Sequence, residues 1–219
     1  HLFMMEEIRG ETTFVDRITG DTGTHNNGVQ TGVYSPVRGT TRRAFYDGVN
    51  DWSSFPDTDW NLAMGAGDSF SGFAIFNSGP AVGTGVQLVF AKLDAALYGF
   101  YLLKNATDYY QFYIRQPSGI LTFTFSTAQI DTEIVFGFSL DRDSDQMTTW
   151  LQSDGGAIAQ QGPFSIAAFG SLENAQSYDI GATSIIAQYK DMTMGPNGYI
   201  QKAITLDEMQ WIADIAKWS

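Results

Sequence analysis

The sequence predicts an all-β fold, an antiparallel two-sheet sandwich that ends in one short α-helix. Three observations lead to this prediction. Apolar and polar residues alternate over many short segments, turn-forming clusters separate those segments, and no helical pattern lies between them. Alternation with a period of two places the apolar side chains of a strand on one face. Regularly spaced strands without intervening helices indicate antiparallel sheets and argue against a parallel α/β fold.

The alternating segments share apolar side chains at every second position. In chain order these are Phe73 and Ile75; Val86, Leu88 and Phe90; Tyr98, Phe100 and Leu102; Tyr110, Phe112 and Ile114; Leu121, Phe123 and Phe125; Ile134, Phe136, Phe138 and Leu140; Met147 and Leu151. Clusters of turn-forming residues bound them, at residues 77–80, 116–119, 141–145 and 153–156. Because glycine, proline, asparagine and aspartate favour turns, we expect the strands to reverse direction at these clusters.

A short helix is predicted after the last strand. The sequence Thr205-Leu-Asp-Glu208 has the pattern of a capping box, in which the threonine hydroxyl and the glutamate carboxylate satisfy each other's backbone N–H groups. The residues expected to share its apolar face are Leu206, Met209, Ile212 and Ala216. Trp211 and Trp218 are expected to anchor the helix to the domain.

Composition excludes several classes of function. The 219 residues contain no internal repeat or linker, so we expect a single domain over residues 1–219. The formal net charge of -12 repels phosphate backbones, so we expect no nucleic-acid partner. The absence of cysteine excludes disulfides, thiolate metal sites and cysteine nucleophiles. No apolar run approaches the roughly 18 residues of a membrane-spanning helix, so we expect no membrane insertion.

The most informative segment covers residues 44–57 and reads A-F-Y-D-G-V-N-D-W-S-S-F-P-D, a strand, an Asp-Gly turn and a second strand. It resembles the F-D-G-V-N-D-Y-V-x-V-P signature of laminin-G-like jelly-roll domains in the concanavalin A-like lectin/glucanase superfamily. Further segments resemble the same family in the same order, at residues 2–7, 16–28, 68–76, 177–183, 189–194 and 202–209. The resemblance implies a concanavalin A-like jelly roll that spans the whole chain and carries a short C-terminal helix. Such domains mostly hold ligands and only sometimes cleave them.

Calcium is the metal that the resemblance implies. Ca²⁺ prefers six to eight oxygen ligands from carboxylates, amides and carbonyls. By resemblance its ligands would be Asp16, with Asn26 or Asn27 in the same loop, and Asp191 in the last strand. The alternative is that these aspartate and asparagine residues are ordinary turn formers. The acidic residues 141–145 lack the glycine and glutamate that a calcium loop requires, so there we predict a hairpin turn.

One strand offers a candidate ligand-binding face. If Tyr110, Phe112 and Ile114 face the core of the strand at residues 109–115, the opposite face presents the side chains of Tyr109, Gln111, Tyr113 and Arg115. Sugar rings pack on tyrosine and tryptophan rings, while amides and charged groups bind their hydroxyls. Trp52 and Trp60 are further candidates. The alternative is that the tyrosines pack against crossing loops.

The sequence does not favour catalysis. Glycoside hydrolysis requires two carboxylates that flank the scissile bond. The glucanase pattern E-x-D-x-E is absent, and Glu6 and Glu7 are adjacent, so in a strand they point to opposite faces. The only histidines are His1, at the start of the chain, and His25, in a turn-rich segment, which does not suit a lyase or a nucleophilic triad. We therefore expect that the protein is not an enzyme.

These observations predict a non-enzymatic, surface-exposed recognition module that binds carbohydrate or mediates adhesion. We expect it on a phage or virus particle or in a secreted bacterial protein, hence at an extracellular or virion surface. The expected partners are glycans or neighbouring protein subunits, and the chain can form an oligomer. Two alternatives remain open. One is a structural virion decoration protein that makes only protein contacts, and the other is a glycoside hydrolase or polysaccharide lyase.

Overall fold

The computed structural model describes residues 1–5, 9–34, 42–59, 63–81, 85–182 and 190–216. Glu6, Glu7, Trp60, Trp218 and the side chain of Ala216 lie outside the described part, as do parts of the segments 2–7, 177–183 and 189–194. Two antiparallel sheets pack face to face as a jelly-roll sandwich, and one short helix follows the last strand. The predicted fold class is therefore confirmed.

The strands contain between two and ten residues each. In chain order they are β1 (Leu2–Phe3), β2 (Thr13–Val15), β3 (Thr22–Asn26), β4 (Gln30–Tyr34), β5 (Arg42–Asp47), β6 (Trp52–Phe55), β7 (Phe70–Asn77), β8 (Gln87–Leu93), β9 (Gly99–Lys104), β10 (Tyr110–Gln116), β11 (Gly119–Phe125), β12 (Glu133–Asp141), β13 (Gln146–Ser153), β14 (Ala159–Ser165), β15 (Tyr178–Ile180) and β16 (Asp191–Ile200). A 3₁₀ turn covers Asp57–Asp59, and the helix α1 covers Leu206–Ala216.

Within the described ranges, each sheet contains eight strands. Sheet A has the order β14-β13-β12-β7-β16-β5-β4, with β1 paired to β16. Sheet B has the order β11-β10-β9-β8-β15-β6-β3-β2. The alternating hydrophobicity explains this architecture, because each strand can bury one face against the other sheet only if the two sheets stack.

Phenylalanine rings fill the space between the sheets. The rings of Phe112 in sheet B and Phe138 in sheet A stack with centroids 4.8 Å apart, and Phe100 lies 5.5 Å from Phe138. All three side chains are at most 1 % exposed. Burial of one such ring stabilises the fold by roughly 2–3 kcal/mol, so the aromatic layer is the main cohesive element of the sandwich.

A β-bulge changes which residues of β8 reach this core. The pairing of β8 with β9 shifts register between Leu88 and Phe90. Phe90 therefore joins the core, whereas Leu88 belongs to a smaller apolar cluster on the outer face of sheet B. The prediction that Leu88 and Phe90 share one face was wrong, because the extra residue of a bulge inverts the alternation.

The side chain of Gln161 connects the edge strand β14 of sheet A to the edge strand β11 of sheet B. Gln161 of β14 accepts a hydrogen bond from the N–H of Thr124 in β11 (3.0 Å), and its amide nitrogen donates to the carbonyl of the same residue. Beside it, the rings of Phe123 and Phe164 meet edge to face, 5.4 Å apart. The edge strands of sheets A and B are thus tied together here.

The helix α1 begins at the predicted capping box. Glu208 Oε2 accepts the N–H of Thr205 at 2.8 Å, and Thr205 Oγ1 accepts the N–H of Glu208 at 3.3 Å. Among the described side chains of the helix, those of Met209 and Ala213 are buried, and Met209 lies directly over Gly137 of β12. Leu206 and Trp211 are 45 % and 66 % exposed. Their predicted packing roles were wrong, because the buried stripe runs through Met209 and Ala213.

The acidic segment at residues 141–145 forms the predicted hairpin turn between β12 and β13. Asp141 Oδ1 accepts the N–H of Asp143 at 3.0 Å, and Ser144 donates its hydroxyl to Asp141 Oδ2 at 2.7 Å. The carboxylate of Asp141 therefore stabilises the turn itself, as an aspartate at the start of a turn commonly does.

Candidate ligand-binding surface

The outer face of β10 carries polar and aromatic side chains. Tyr110, Phe112 and Ile114 are buried in the core, as the sequence predicts. Gln111, Tyr113 and Arg115 alternate with them and are half-buried on the opposite face. The strand thus presents an amide, a phenol and a guanidinium in one row on the surface of sheet B.

The neighbouring strands extend this row into a surface. Tyr113 lies opposite Tyr101 of β9 and opposite Thr122 of β11. The rings of Tyr101 and Tyr113 stack almost in parallel, with centroids 4.6 Å apart and an interplanar angle of 8°. We call the surface formed by Tyr101, Gln111, Tyr113, Arg115 and Thr122 the tyrosine platform.

Hydrogen bonds hold the centre of the platform in place. The hydroxyl of Tyr113 donates to Gln111 Oε1 at 3.0 Å, and Gln111 Nε2 donates to the Thr124 hydroxyl of β11 at 3.1 Å. This relay crosses two strands and fixes the orientation of both polar side chains. A surface whose side chains are already ordered loses less conformational entropy when it binds a ligand.

The tyrosine hydroxyls of the platform stay protonated over the physiological pH range. Partial burial raises the pKa of Tyr113. Burial, reinforced by Tyr113, also raises the pKa of Tyr101, although the nearby charge of Arg115 acts in the opposite direction. Both hydroxyls can therefore donate as well as accept hydrogen bonds, which suits ligands rich in hydroxyl groups.

Two of the predicted ligand-binding residues lie apart from the centre of the platform. Trp52 begins β6, four strands away from β10 in sheet B, which corresponds to about 19 Å. Trp52 therefore does not belong to the tyrosine platform, and its role as a separate ligand-binding residue stays a prediction. Tyr109 lies just before β10, where its N–H donates to Asn105 Oδ1 at 3.0 Å. Tyr101 and Thr122 were not predicted, because only the pairing register brings them beside Tyr113.

Asp16 is a structural residue. Its side chain is fully buried and accepts hydrogen bonds from the N–H groups of Leu2 (2.8 Å) and Ile18 (3.0 Å) and from the hydroxyl of Thr19 (2.9 Å). The ring of His1 also contacts it, with Nδ1 2.5 Å from Oδ2. These contacts occupy both carboxylate oxygens, so Asp16 does not fit the role of a calcium ligand.

The predicted calcium ligands do not form one site. Leu2, which binds Asp16, lies opposite Gly198, whereas Asp191 begins the same strand, β16, about 20 Å away. Asn27 lies at the end of the sandwich that holds Asp191, since its side chain donates to the carbonyl of Asn50 at 3.1 Å and Asp47, in the same turn, pairs with Asp191. The amide of Asn26 makes only a long contact of 3.4 Å with the carbonyl of Thr24. The grouping of Asp16 with Asp191 was therefore wrong.

A different carboxylate lies beside the loop of Asn27. Asp51 is 2 % exposed, and its Oδ1 is buried without a hydrogen-bond partner. That oxygen faces Gly28, lying 3.5 Å from the point where a Cβ would stand. The other oxygen accepts the N–H of Asp47 at 3.1 Å, and Asp47 pairs with Asp191. Burial raises the pKa of Asp51.

His25 of β3 and Ser53 of β6 form a buried pair. His25 Nδ1 is 2.6 Å from the hydroxyl of Ser53, which also contacts the hydroxyl of Tyr46 at 2.7 Å. His25 lies in strand β3, so its prediction as a loop residue was wrong. Burial lowers the pKa of His25 to about 4, and Ser53 is fully buried. The neutral imidazole therefore belongs to a closed packing network.

An apolar groove lies on the outer face of sheet A, between α1 and the start of the chain. Its volume is about 830 Å³. Its lining includes Ile18, Phe73, Ile75, Pro196, Ile200 and Trp211. Ile18 and Trp211 are 69 % and 66 % exposed. Exposed apolar surface of this kind is typical of protein contact sites.

Among the described residues, no helix is long and apolar enough to cross a membrane.

Comparison with solved structures shows the fold. The binding domain of botulinum neurotoxin serotype G superposes with a TM-score of 0.70 at 9 % identity, over 98 % of this chain and 50 % of that one. Botulinum neurotoxin type C, described as interacting with two ganglioside molecules, gives 0.65 at 8 % identity, over 99 % of this chain and 51 % of that one. Trypanosoma rangeli sialidase in complex with sialic acid gives 0.69 at 10 % identity, over 98 % and 33 %.

The chain thus spans about half the length of the neurotoxin chains and a third of the sialidase chain that it matches. No protein-family profile and no curated protein sequence matches it. At these identities the likeness is one of fold, a β-sandwich that proteins of different activities share.

Proposed function

We propose that this protein is a non-enzymatic recognition module that binds glycans through the tyrosine platform. The observation that carries the proposal is the ordered stack of Tyr101 and Tyr113, half-exposed beside the amide of Gln111. The C–H faces of a sugar pack on such rings, while the adjacent amide and hydroxyl groups bind its hydroxyls. These groups supply stacking and hydrogen bonding, which is the chemistry of binding.

The structural comparisons support a binding role in general terms. The neurotoxin structures include a domain named for binding and a toxin described with gangliosides, and the sialidase holds sialic acid. For this chain we extend that role to adhesion at an extracellular or virion surface. The acidic, cysteine-free and aromatic-rich composition supports this setting.

A glycan array tests the proposal, with bacterial surface polysaccharides included. We expect selective binding by the wild-type protein and roughly two- to tenfold weaker binding by Tyr113→Leu, since loss of one stacked ring removes roughly 0.5–1.5 kcal/mol. Trp52→Leu is the matched control, because Trp52 is an aromatic residue on the outer face of the same sheet, four strands away. An array that stays blank for the folded wild-type protein refutes the function, and equal losses in both variants refute the site.

Calcium remains part of the proposal, at a revised position. The unpartnered Oδ1 of Asp51 supplies a buried hard oxygen beside the loop of Asn27 and Gly28, which is the donor type that Ca²⁺ prefers. We expect calcium to raise the melting temperature of the wild-type protein but not that of Asp51→Asn. Asp143→Asn, which removes an exposed carboxylate from the turn at residues 141–145, should keep the wild-type response. A calcium response that persists in Asp51→Asn excludes this position.

The apolar groove favours a second candidate, a structural module that contacts only neighbouring protein subunits. Trp211 at its rim is 66 % exposed, which is unusual for such a large ring. Under this alternative a second copy of the chain occupies the groove, and Trp211→Ser weakens self-association in sedimentation velocity runs at increasing concentration. A protein that stays monomeric at all concentrations rules out that occupant.

A further inference from the structure

We infer that the tyrosine platform selects glycans that carry an anionic group, a carboxylate or a sulfate, and that Arg115 binds this group. The inference rests on the proposed glycan-binding function and narrows it to a ligand class. The residues around Arg115 on the outer face of sheet B support this inference.

Within the part of the chain that the structure describes, Arg115 has no partner for its charge. Its cross-strand neighbours are Gly99 on β9, which has no side chain, and Ile120 on β11, which is apolar. Among the described residues, no carboxylate forms an ion pair with it and no acceptor forms a hydrogen bond with its guanidinium. Two cations with fully buried side chains differ from half-buried Arg115, since Arg43 pairs with Glu133 at 2.7 Å and Lys104 with Asp108 at 3.1 Å.

This lack of a partner is informative because the chain is rich in carboxylates. The protein has 24 aspartate and glutamate residues against 12 lysine and arginine residues. Yet the outer positions of β9, β10 and β11 around Arg115 are occupied by tyrosine, threonine, glutamine, leucine and isoleucine. The guanidinium is therefore available to an external anion, because no carboxylate of the described residues forms an ion pair with it.

The position of Arg115 suits a sugar that stacks on the tyrosines. Arg115 lies two residues along the same strand face from Tyr113, a separation of about 7 Å. Its charge also reaches Tyr101, whose pKa it lowers against the effect of burial. A sugar ring packed on the Tyr101–Tyr113 stack can thus place its own acidic substituent at the guanidinium of Arg115. The acidic substituent of the next sugar in the chain can reach the same position.

The chemistry favours carboxylate and sulfate groups. A guanidinium presents a planar fork of N–H donors that matches two oxygens of one anionic group, and such charge-assisted hydrogen bonds are stronger than neutral ones. The formal net charge of -12 repels anionic chains in general. Selection for an acidic sugar must therefore come from a specific contact, which here is Arg115.

The test uses paired glycans that differ only in charge. The array holds uronic-acid, sialylated and sulfated oligosaccharides, each beside its carboxyl-reduced or desulfated counterpart. Dissociation constants are then measured for the strongest pair with four proteins: wild type, Arg115→Gln, Arg115→Lys and Arg17→Gln. Arg17 is an exposed arginine in the turn between β2 and β3, so Arg17→Gln removes the same charge far from the platform.

We expect the wild type to prefer the acidic member by at least about tenfold, and Arg115→Gln to lose that preference while it keeps its affinity for the neutral member. Arg115→Lys should recover only part of the preference, because an ammonium lacks the fork, and Arg17→Gln should behave as wild type. The carboxylate and sulfate pairs show which anion is bound.

The two proposals fail in different ways. If wild type binds both members of each pair equally, or if Arg115→Gln keeps the acidic preference, Arg115 does not select the ligand and only this inference is overturned. If folded wild-type protein binds no member of any pair, the glycan-binding function is overturned as well. Thermal unfolding of Arg115→Gln checks the fold, which should be unchanged because the guanidinium has no internal partner.

Discussion

Lys190 makes the stability of this protein depend on pH in a direction that is uncommon for an acidic chain. The residue precedes β16 and is fully buried. Its ammonium donates hydrogen bonds to the carbonyls of Ser78 and Asp191, the latter at 2.8 Å. Burial, together with the nearby charge of Lys104, lowers the pKa of Lys190 to about 7, although Asp191, Asp108 and Asp131 partly oppose this change.

The size of the effect follows from the difference in pKa between the folded and unfolded chains. The unfolded value is 10.5, and each pKa unit is worth about 1.4 kcal/mol, so burial of the charged form costs at most about 5 kcal/mol. Between pH 7 and 10.5 the unfolded chain binds more protons than the folded one. The free energy of unfolding therefore rises with pH in this window, by about 2 kcal/mol from pH 7 to 9.

Urea denaturation at pH 7, 8 and 9 measures this slope. The free energy of unfolding of the wild type should increase over the series. In Lys190→Met this increase should be smaller by about 1 kcal/mol per pH unit. Lys202→Met removes a half-exposed ammonium and should keep the wild-type slope. Burial also lowers the pKa of Lys92 and Lys104, so a smaller slope of the same sign should persist in Lys190→Met.

Either of two results would refute this reasoning. Wild-type stability that is flat or falling from pH 7 to 9 would mean that Lys190 stays charged when buried. A slope in Lys190→Met equal to that of wild type would assign the effect to other groups. The series stops at pH 9 because burial raises the pKa of Tyr110, Tyr178 and Tyr199, and ionisation of tyrosine in the unfolded chain near pH 10 has the opposite sign.

Three further predictions concern the architecture around the site. Asp16→Ala should lower the free energy of unfolding by about 3 kcal/mol, equally in calcium and in EDTA, because it leaves buried N–H groups unpaired; a loss seen only in calcium would restore Asp16 as a metal ligand. Gly137→Val should displace Met209 and expose the apolar residues packed beneath α1, detected as increased binding of a hydrophobic dye; an unchanged dye signal and melting temperature would mean that α1 adapts. Thr205→Ala should cost about 1 kcal/mol in urea denaturation through loss of the helix cap, and a wild-type midpoint would show that the cap is dispensable.

The sequence correctly predicted the structural elements that are determined by residues close together in the chain. The alternation around Phe112, the turn at residues 141–145 and the capping box at Thr205 are all as predicted, because each is fixed by side chains within a few positions. The same alternation placed Gln111, Tyr113 and Arg115 on one face.

Contacts between distant residues could not be predicted in the same way. Tyr101 reaches Tyr113 only through the register of β9 on β10, and the bulge after Leu88 inverts the alternation of β8 without any glycine or proline to mark it. The family resemblance implied that Asp16 is a metal ligand, and the sequence alone does not show which donors reach its carboxylate. The groove at Trp211 likewise depends on how α1 rotates against β12.

The glutamine that joins β14 to β11 also bears on aggregation. The last strand of an open sheet presents unpaired N–H and C=O groups on which another chain can grow, and β11 holds this position in sheet B. Because the amide of Gln161 satisfies both backbone groups of Thr124, it imitates one residue of a missing neighbour strand. A foreign strand cannot pair there without first displacing an internal competitor. The protein can thus display an aromatic surface next to its own edge while the edge at Thr124 is closed to fibre growth.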